Sequence, residues 1–322
     1  MSRFLIGVLL ALAPAFAAVD GVVVNGTTGQ PQPNVVIMLV QPTQSGMQNL
    51  GTTKSGAQGA FHFDSNDAQG PRLIRAIHQG VLYNKMIPPG MPSTGVQVEV
   101  YDSTNKPGIA KLAQHFIVLQ PGASEMTVSE GLLYQGDPKL TYNDPANGSV
   151  RFYLPPEANG KVTVTVNPAG GMPIQRPAAK TKEPDIYKID YAVEPGETRF
   201  DLNYTVPATN PMVFAGKLIQ PEGTSNLVVP QGVTAKSDDL ELVGTEPKTQ
   251  ASIYRIKNAN FKVEVEGTGS LAQAGAASDE DNGQPGIEQV KPRIYENLYW
   301  ILGMAFGILG LGSFLLYRST TK

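Results

Sequence analysis

The chain has 322 residues, a net charge of −3 and no cysteine. That balance gives no broad basic field for nucleic acid, and with no disulfide available each domain must stand on its own core. Glycine (34) and proline (26) are frequent, Val, Thr and Tyr recur in short runs, and no long 3.6-residue apolar period precedes Leu298, so we expect an all-β fold of tandem β-sandwiches followed by one C-terminal transmembrane helix.

Residues 1–18 carry the three parts of a secretory signal. Arg3 is the positive region, Phe4 to Leu12 is an apolar run too short to span a bilayer, and Ala15-Phe16-Ala17 is a small-x-small cleavage site. The alternative is an uncleaved anchor helix. A cleaved signal places the residues that follow outside the cytosol.

Residues 19–103 read as a first β-sandwich. Asp20 to Asn25 is a strand, Gly26 to Gly29 is turn chemistry, and Asn34 to Val40 is apolar on both faces, as a doubly buried strand should be. Phe61 and Phe63 point one way and His62 the other. Gln79-Gly80 separates two apolar runs and reads as a hairpin, and Val96, Val98 and Val100 alternate with Gln97 and Glu99.

The order Gly21-x-Val23, Gly29-x-Pro31, an apolar strand, Gly56-x-x-Gly59-x-Phe61-x-Phe63 and Gly70-Pro71 resembles the carboxypeptidase regulatory-like domain. The resemblance implies a transthyretin-like sandwich of about seven strands, grouped with carbohydrate-binding-like folds, that serves as a non-catalytic accessory. Arg72 departs from it, because a tyrosine commonly follows the Gly-Pro.

Residues 112–206 read as an immunoglobulin-like sandwich with strands at 115–119, 126–133, 150–154, 162–166, 186–193 and 199–206. In the last, Phe200, Leu202, Tyr204 and Val206 alternate with polar residues. Residues 169–184, with three prolines, read as a long loop. Together with the first module, this stretch is similar to bacterial envelope proteins. Residues 211–267 read as a small membrane-proximal β unit, short for an independent core and so expected to lean on its neighbour. Residues 268–293 read as a flexible linker.

Residues 294–317 are expected to be the transmembrane helix. Leu298 to Tyr317 has no charge and no proline, and at ~1.5 Å per residue it reaches roughly 30 Å, the thickness of a bilayer core. Tyr295, Tyr299, Trp300 and Tyr317 form aromatic belts. The tail 318–322 is then cytosolic, and the sandwiches are periplasmic or extracellular. Gly303, Gly307 and Gly310 fall on one small-residue face, a candidate for self-association or for docking on a partner's helix.

Candidate chemistry is sparse. The histidines His62, His78 and His115 share no metal-ligand spacing, although His62 and His78 could meet across the first sandwich. No G-x-S-x-G elbow occurs. Asp279 to Gly283 hints at calcium, but no frame completes the twelve-residue loop. Asn25, Asn147 and Asn203 open glycosylation sequons, which matter only in a eukaryote. Tyr83, Tyr101, Tyr134, Tyr142 and Tyr187 could offer platforms for sugars or pack in cores and edges. We therefore expect no catalytic, cofactor or metal site. The expected function is a membrane-anchored, non-enzymatic envelope protein presenting sandwiches for protein interaction or structural support. The alternative is a glycan- or peptidoglycan-binding module.

Overall fold

The computed structural model describes residues 18–43, 46–64, 70–220 and 223–271. It divides the chain into two units, 1–274 and 275–322, and all that is described belongs to the first. The expected signal, linker and transmembrane run, with Gly303, Gly307, Gly310 and the acidic stretch at 279–283, lie outside the described residues. Among the described residues the fold is all-β, interrupted by one 3-10 turn, and no helix is long and apolar enough to cross a membrane.

Eight strands build the first core: β1 (Val19–Asn25), β2 (Gln30–Pro31), β3 (Val36–Thr43), β4 (Gly46–Lys54), β5 (Ala60–Phe63), β6 (Arg72–His78), β7 (Val81–Ile87) and β8 (Val96–Val100). One sheet is centred on β1, with β8 parallel on one edge and β5 then β2 sharing the other. The second sheet runs β4-β3-β6-β7. Val19, Val23, Phe61, Phe63 and Val98 from the first sheet meet Ile37, Leu39, Ile74 and Tyr83 from the second in one buried cluster.

The glycines of this module are explained by close approach. A Cβ on Gly21 would lie 1.9 Å from the Val96 carbonyl oxygen, so the β1–β8 pairing needs a residue without one. Gly59 has φ +71° and its Cβ would lie 2.5 Å from the Val23 carbonyl. The Gln79-Gly80 hairpin forms with both residues at positive φ (47° and 79°), the type I′ geometry that matches strand twist. Arg72 takes a core-facing position and is 4% exposed, with Nε and Nη1 lacking a hydrogen-bond partner.

The remaining strands are β9 (Asp102–Thr104), β10 (Lys111–Pro121), β11 (Glu125–Gly136), β12 (Leu140–Tyr142), β13 (Val150–Tyr153), β14 (Thr163–Asn167), β15 (Ile174–Arg176) and β16 (Ala178–Lys180). They continue with β17 (Ile186–Ile189), β18 (Gly196–Pro207), β19 (Met212–Lys217), β20 (Thr224–Val229), β21 (Thr234–Lys236), β22 (Leu240–Thr245), β23 (Ser252–Ile256) and β24 (Asn260–Glu266). One eight-stranded sheet runs β15-β14-β18-β11-β10-β20-β23-β22. Two three-stranded sheets, β13-β17-β16 and β19-β24-β21, contribute to the same core, which holds Phe152 and Ile189 from one and Phe214 and Phe261 from the other.

β20, β22 and β23 come from the stretch read as a small membrane-proximal unit, and they continue the large sheet. The seam is the parallel pairing of β10 with β20, from Gln114 opposite Thr224 to Val118 opposite Val228. The loop expected at 169–184 contains two three-residue strands, β15 and β16, kept short by the prolines at 173 and 177 on either side of β15.

Candidate functional site

The histidines do not come together. His62 is exposed on β5 and its Nε2 pairs with Asp64 at 3.0 Å. His78, at the end of β6, places Nε2 3.2 Å from Asp102 Oδ1. His62 and His78, which could have met across the sandwich, thus take separate carboxylates. His115 sits inside the second core. Among the described residues no group of three His, Cys, Asp or Glu side chains could hold a metal ion.

His115 belongs to a polar chain that crosses the inner face of the large sheet. Its Nε2 lies 2.9 Å from Glu130 Oε2, and the Tyr204 hydroxyl donates to Glu130 Oε1. The three side chains sit on adjacent strands β10, β11 and β18 and are 6%, 7% and 4% exposed. Glu130 occupies the inward phase of a strand whose other inward residues are Met126, Val128, Leu132 and Tyr134. Burial first, and then the adjacent Glu130, hold the Tyr204 hydroxyl well above its ordinary pKa, so it stays a donor.

On the other side of His115, across the seam, lies Ser225, its register partner on β20. The Ser225 hydroxyl is buried and makes no hydrogen bond. Arg151, Tyr153, Lys217 and Gln220 line a narrow cleft with His115 and Glu130. Its volume of about 10 Å³ is roughly what one water needs. Gln220 accepts from the Tyr134 hydroxyl at 2.6 Å, which closes one wall. A serine, a histidine and a carboxylate therefore occupy neighbouring strands of one inner face, but the serine hydroxyl is buried, makes no hydrogen bond and does not line the cleft.

A second polar cluster joins the two cores. Asp102 accepts from Asn25 (2.9 Å) and Gln79 (3.1 Å) and faces His78. These contacts hold its pKa below the usual carboxylate range, the Asn25 bond most of all. Gln79, at the hairpin tip, also accepts from the Ser103 amide at 2.7 Å. β9 pairs in parallel with β12, and the buried Tyr83 hydroxyl donates to the Tyr101 carbonyl (2.8 Å) and shares a 2.9 Å bond with Thr141. Ala192 packs against the first core, and two residues on, the Glu194 carboxyl has no hydrogen bond or ion pair among the described residues. Burial pushes the Glu194 carboxyl up to about 7. Its charge in turn acts on Tyr83, Tyr101 and Tyr191, each pushed up to about 12 with burial as the main cause.

The tyrosines considered as sugar platforms divide. Tyr83 and Tyr134 are buried at 2% and 1% and offer no face. Tyr187 is half-buried and stacks on Phe152 at 6.0 Å, while Tyr142 is held in the β12 pairing. Tyr101 is half-buried and donates to Glu99 at 2.9 Å. Tyr191, absent from the sequence reading, is also half-buried and lies under the Arg176 guanidinium at 5.4 Å. Sequence reasoning also missed Glu130, Asp102 and Glu194. Only Glu130 left a signal, a lone acid in an apolar period-2 row.

No family model and no curated protein matches this chain. Among solved structures, it is similar over 49% of its length to a mutant M1 zinc metallopeptidase from Deinococcus radiodurans, at 11% identity and a TM-score of 0.27. The same peptidase mutant bound to a Tyr-Ser-Ala substrate gives 12% identity and a TM-score of 0.27. The match spans 42% and 43% of those chains, less than half their length. A likeness this low says nothing of activity.

Proposed function

We propose that this chain is a membrane-anchored, non-catalytic envelope protein whose sandwiches present surfaces for protein interaction or structural support. The first module acts as an accessory domain of the carboxypeptidase regulatory-like kind. The observation that carries the reading is the burial of the His115–Glu130–Tyr204 chain. It lies inside a continuous core beside a water-sized cleft and works as a polar tie between β10, β11 and β18. The signal-like N-terminus and the apolar run at 298–317 support the anchored topology.

A second reading, glycan binding, is favoured by one feature. Tyr101 and Tyr191 are half-buried near the Glu194 carboxyl, which has no hydrogen-bond partner, and a ring beside an unpaired carboxyl suits a sugar. Incubating the detergent-solubilised full chain with immobilised peptidoglycan and neutral polysaccharides separates the two. The first reading expects no retention. Retention that Tyr191→Ala abolishes would replace it with the second.

A further inference from the structure

The large sheet ends at one side in β22, and this edge is exposed and apolar. Natural edges are blunted by shortness, proline, inward-pointing charge or a bulge, and β22 carries only the last, at Val243. β15, the opposite edge, has three residues, and β7, an edge of the first module, turns Lys85 to its inner side. β22 instead carries Leu242 and Val243 at 62% and 54% exposure, the first and third most exposed large apolar residues among those described. Its one charge between Leu240 and Thr245 is Glu241.

The backbone phase of β22 can be read. The Lys257 amide donates to the Asp239 carbonyl at 2.9 Å, which makes that a hydrogen-bonded pair. Antiparallel pairs alternate, so Glu241 and Arg255 form the next one, and Leu242, opposite Tyr254, turns its N–H and C=O to the open edge. The bulge that follows leaves Val243 without a partner on β23.

We propose that β22 pairs with β22 of a second copy, antiparallel about a two-fold axis at Leu242. This deepens the interaction reading above and rests on it only for the anchor that holds copies in one membrane. The self-pairing is favoured by the sequence of the strand. With Leu242 opposite its own copy, Glu241 faces Val243 and Leu240 faces Gly244, so no like charges stand directly opposite each other within the strand and the exposed apolar pair is covered. A six-residue strand pair falls well short of the roughly 1,200 Å² of a stable complex. Confinement by the anchor, which raises the effective concentration, supplies what the contact lacks.

The chain has no native cysteine, so single-cysteine variants of the full chain in membranes give a clean readout. Hydrogen-bonded antiparallel partners have Cα atoms about 5.5 Å apart, within disulfide range. Mild oxidation of Leu242→Cys should give a disulfide-linked homodimer as the main species, while Met172→Cys, equally accessible at 50% exposure, should stay monomeric. Adding Val243→Glu places like charges opposite Glu241 and should abolish the dimer, whereas Val243→Lys should preserve it. No dimer above the Met172→Cys level, equal effects of Val243→Glu and Val243→Lys, or a linked species not of twice the chain's mass would each overturn the proposal. Membrane fractionation of the same sample reports separately on the anchor. A soluble chain would overturn the topology above and with it the confinement the dimer needs, whereas a membrane-bound chain that gives no dimer would overturn the edge pairing alone.

Discussion

Glu130 ties three strands through two hydrogen bonds, and its removal leaves the buried His115 and Tyr204 without their side-chain partner. Glu130→Ala should therefore cost roughly 3 kcal/mol in urea unfolding. Ser225→Ala removes a buried hydroxyl that bonds to nothing and should be neutral or stabilising by up to about 1 kcal/mol. Equal losses from the two would contradict the chain as drawn. At the junction, two carboxyls respond to pH with opposite sign. Glu194 has a folded pKa raised to about 7 from 4.5, so the folded state holds its proton longer than the unfolded state. Its contribution is fully present below about 4.5 and is lost as pH rises to about 7, at most about 3 kcal/mol in all. Asp102 has a lowered folded pKa, so its contribution is present above its ordinary value and lost as pH falls through the lowered one. Glu194→Gln should flatten the decline between pH 4.5 and 7 in thermal melts, and an unchanged slope would remove Glu194 from the account.

At the scale of elements, most strands of the first module were legible because period-2 alternation and turn glycines leave local marks. Phe61 and Phe63 face inward and His62 outward, and the Gln79-Gly80 hairpin forms where it was read. The identity of Gly21 was visible but its cause was not. The Val96 carbonyl that excludes a Cβ comes from a strand 75 residues away, and such parallel pairing leaves no local signal. Gly21→Ala should cost at least about 2 kcal/mol in urea unfolding, because the obstacle is backbone and the parallel pair must part. Gly80→Ala meets no atom within 4 Å, so only its positive φ costs, about 1 kcal/mol. A milder Gly21 variant than Gly80 variant would show that β1 and β8 do not approach so closely. β15 and β16 were read as loop because proline counts outweigh three-residue runs in any window. The His115–Glu130–Tyr204 chain was legible only at Glu130, since its other members depend on which strands become neighbours.

At the scale of the whole described unit, one core joins residues 112–265, so its parts should not be separable. A chain cut after residue 210 would expose the β10 edge that β20 covers and open the core around Leu119 and Leu227. It should lose its fixed near-ultraviolet signal and bind a hydrophobic dye, while residues 18–103, with their own core, should fold alone. The proposed topology puts the sandwiches across a membrane from the C-terminal tail. Protease added to right-side-out vesicles carrying the full chain, tagged after Lys322, tests this most directly. That topology expects the sandwiches to be digested and a short tagged fragment spanning residues 294–322 to be protected. A fully protected chain, or a tag removed with the sandwiches intact, would contradict it.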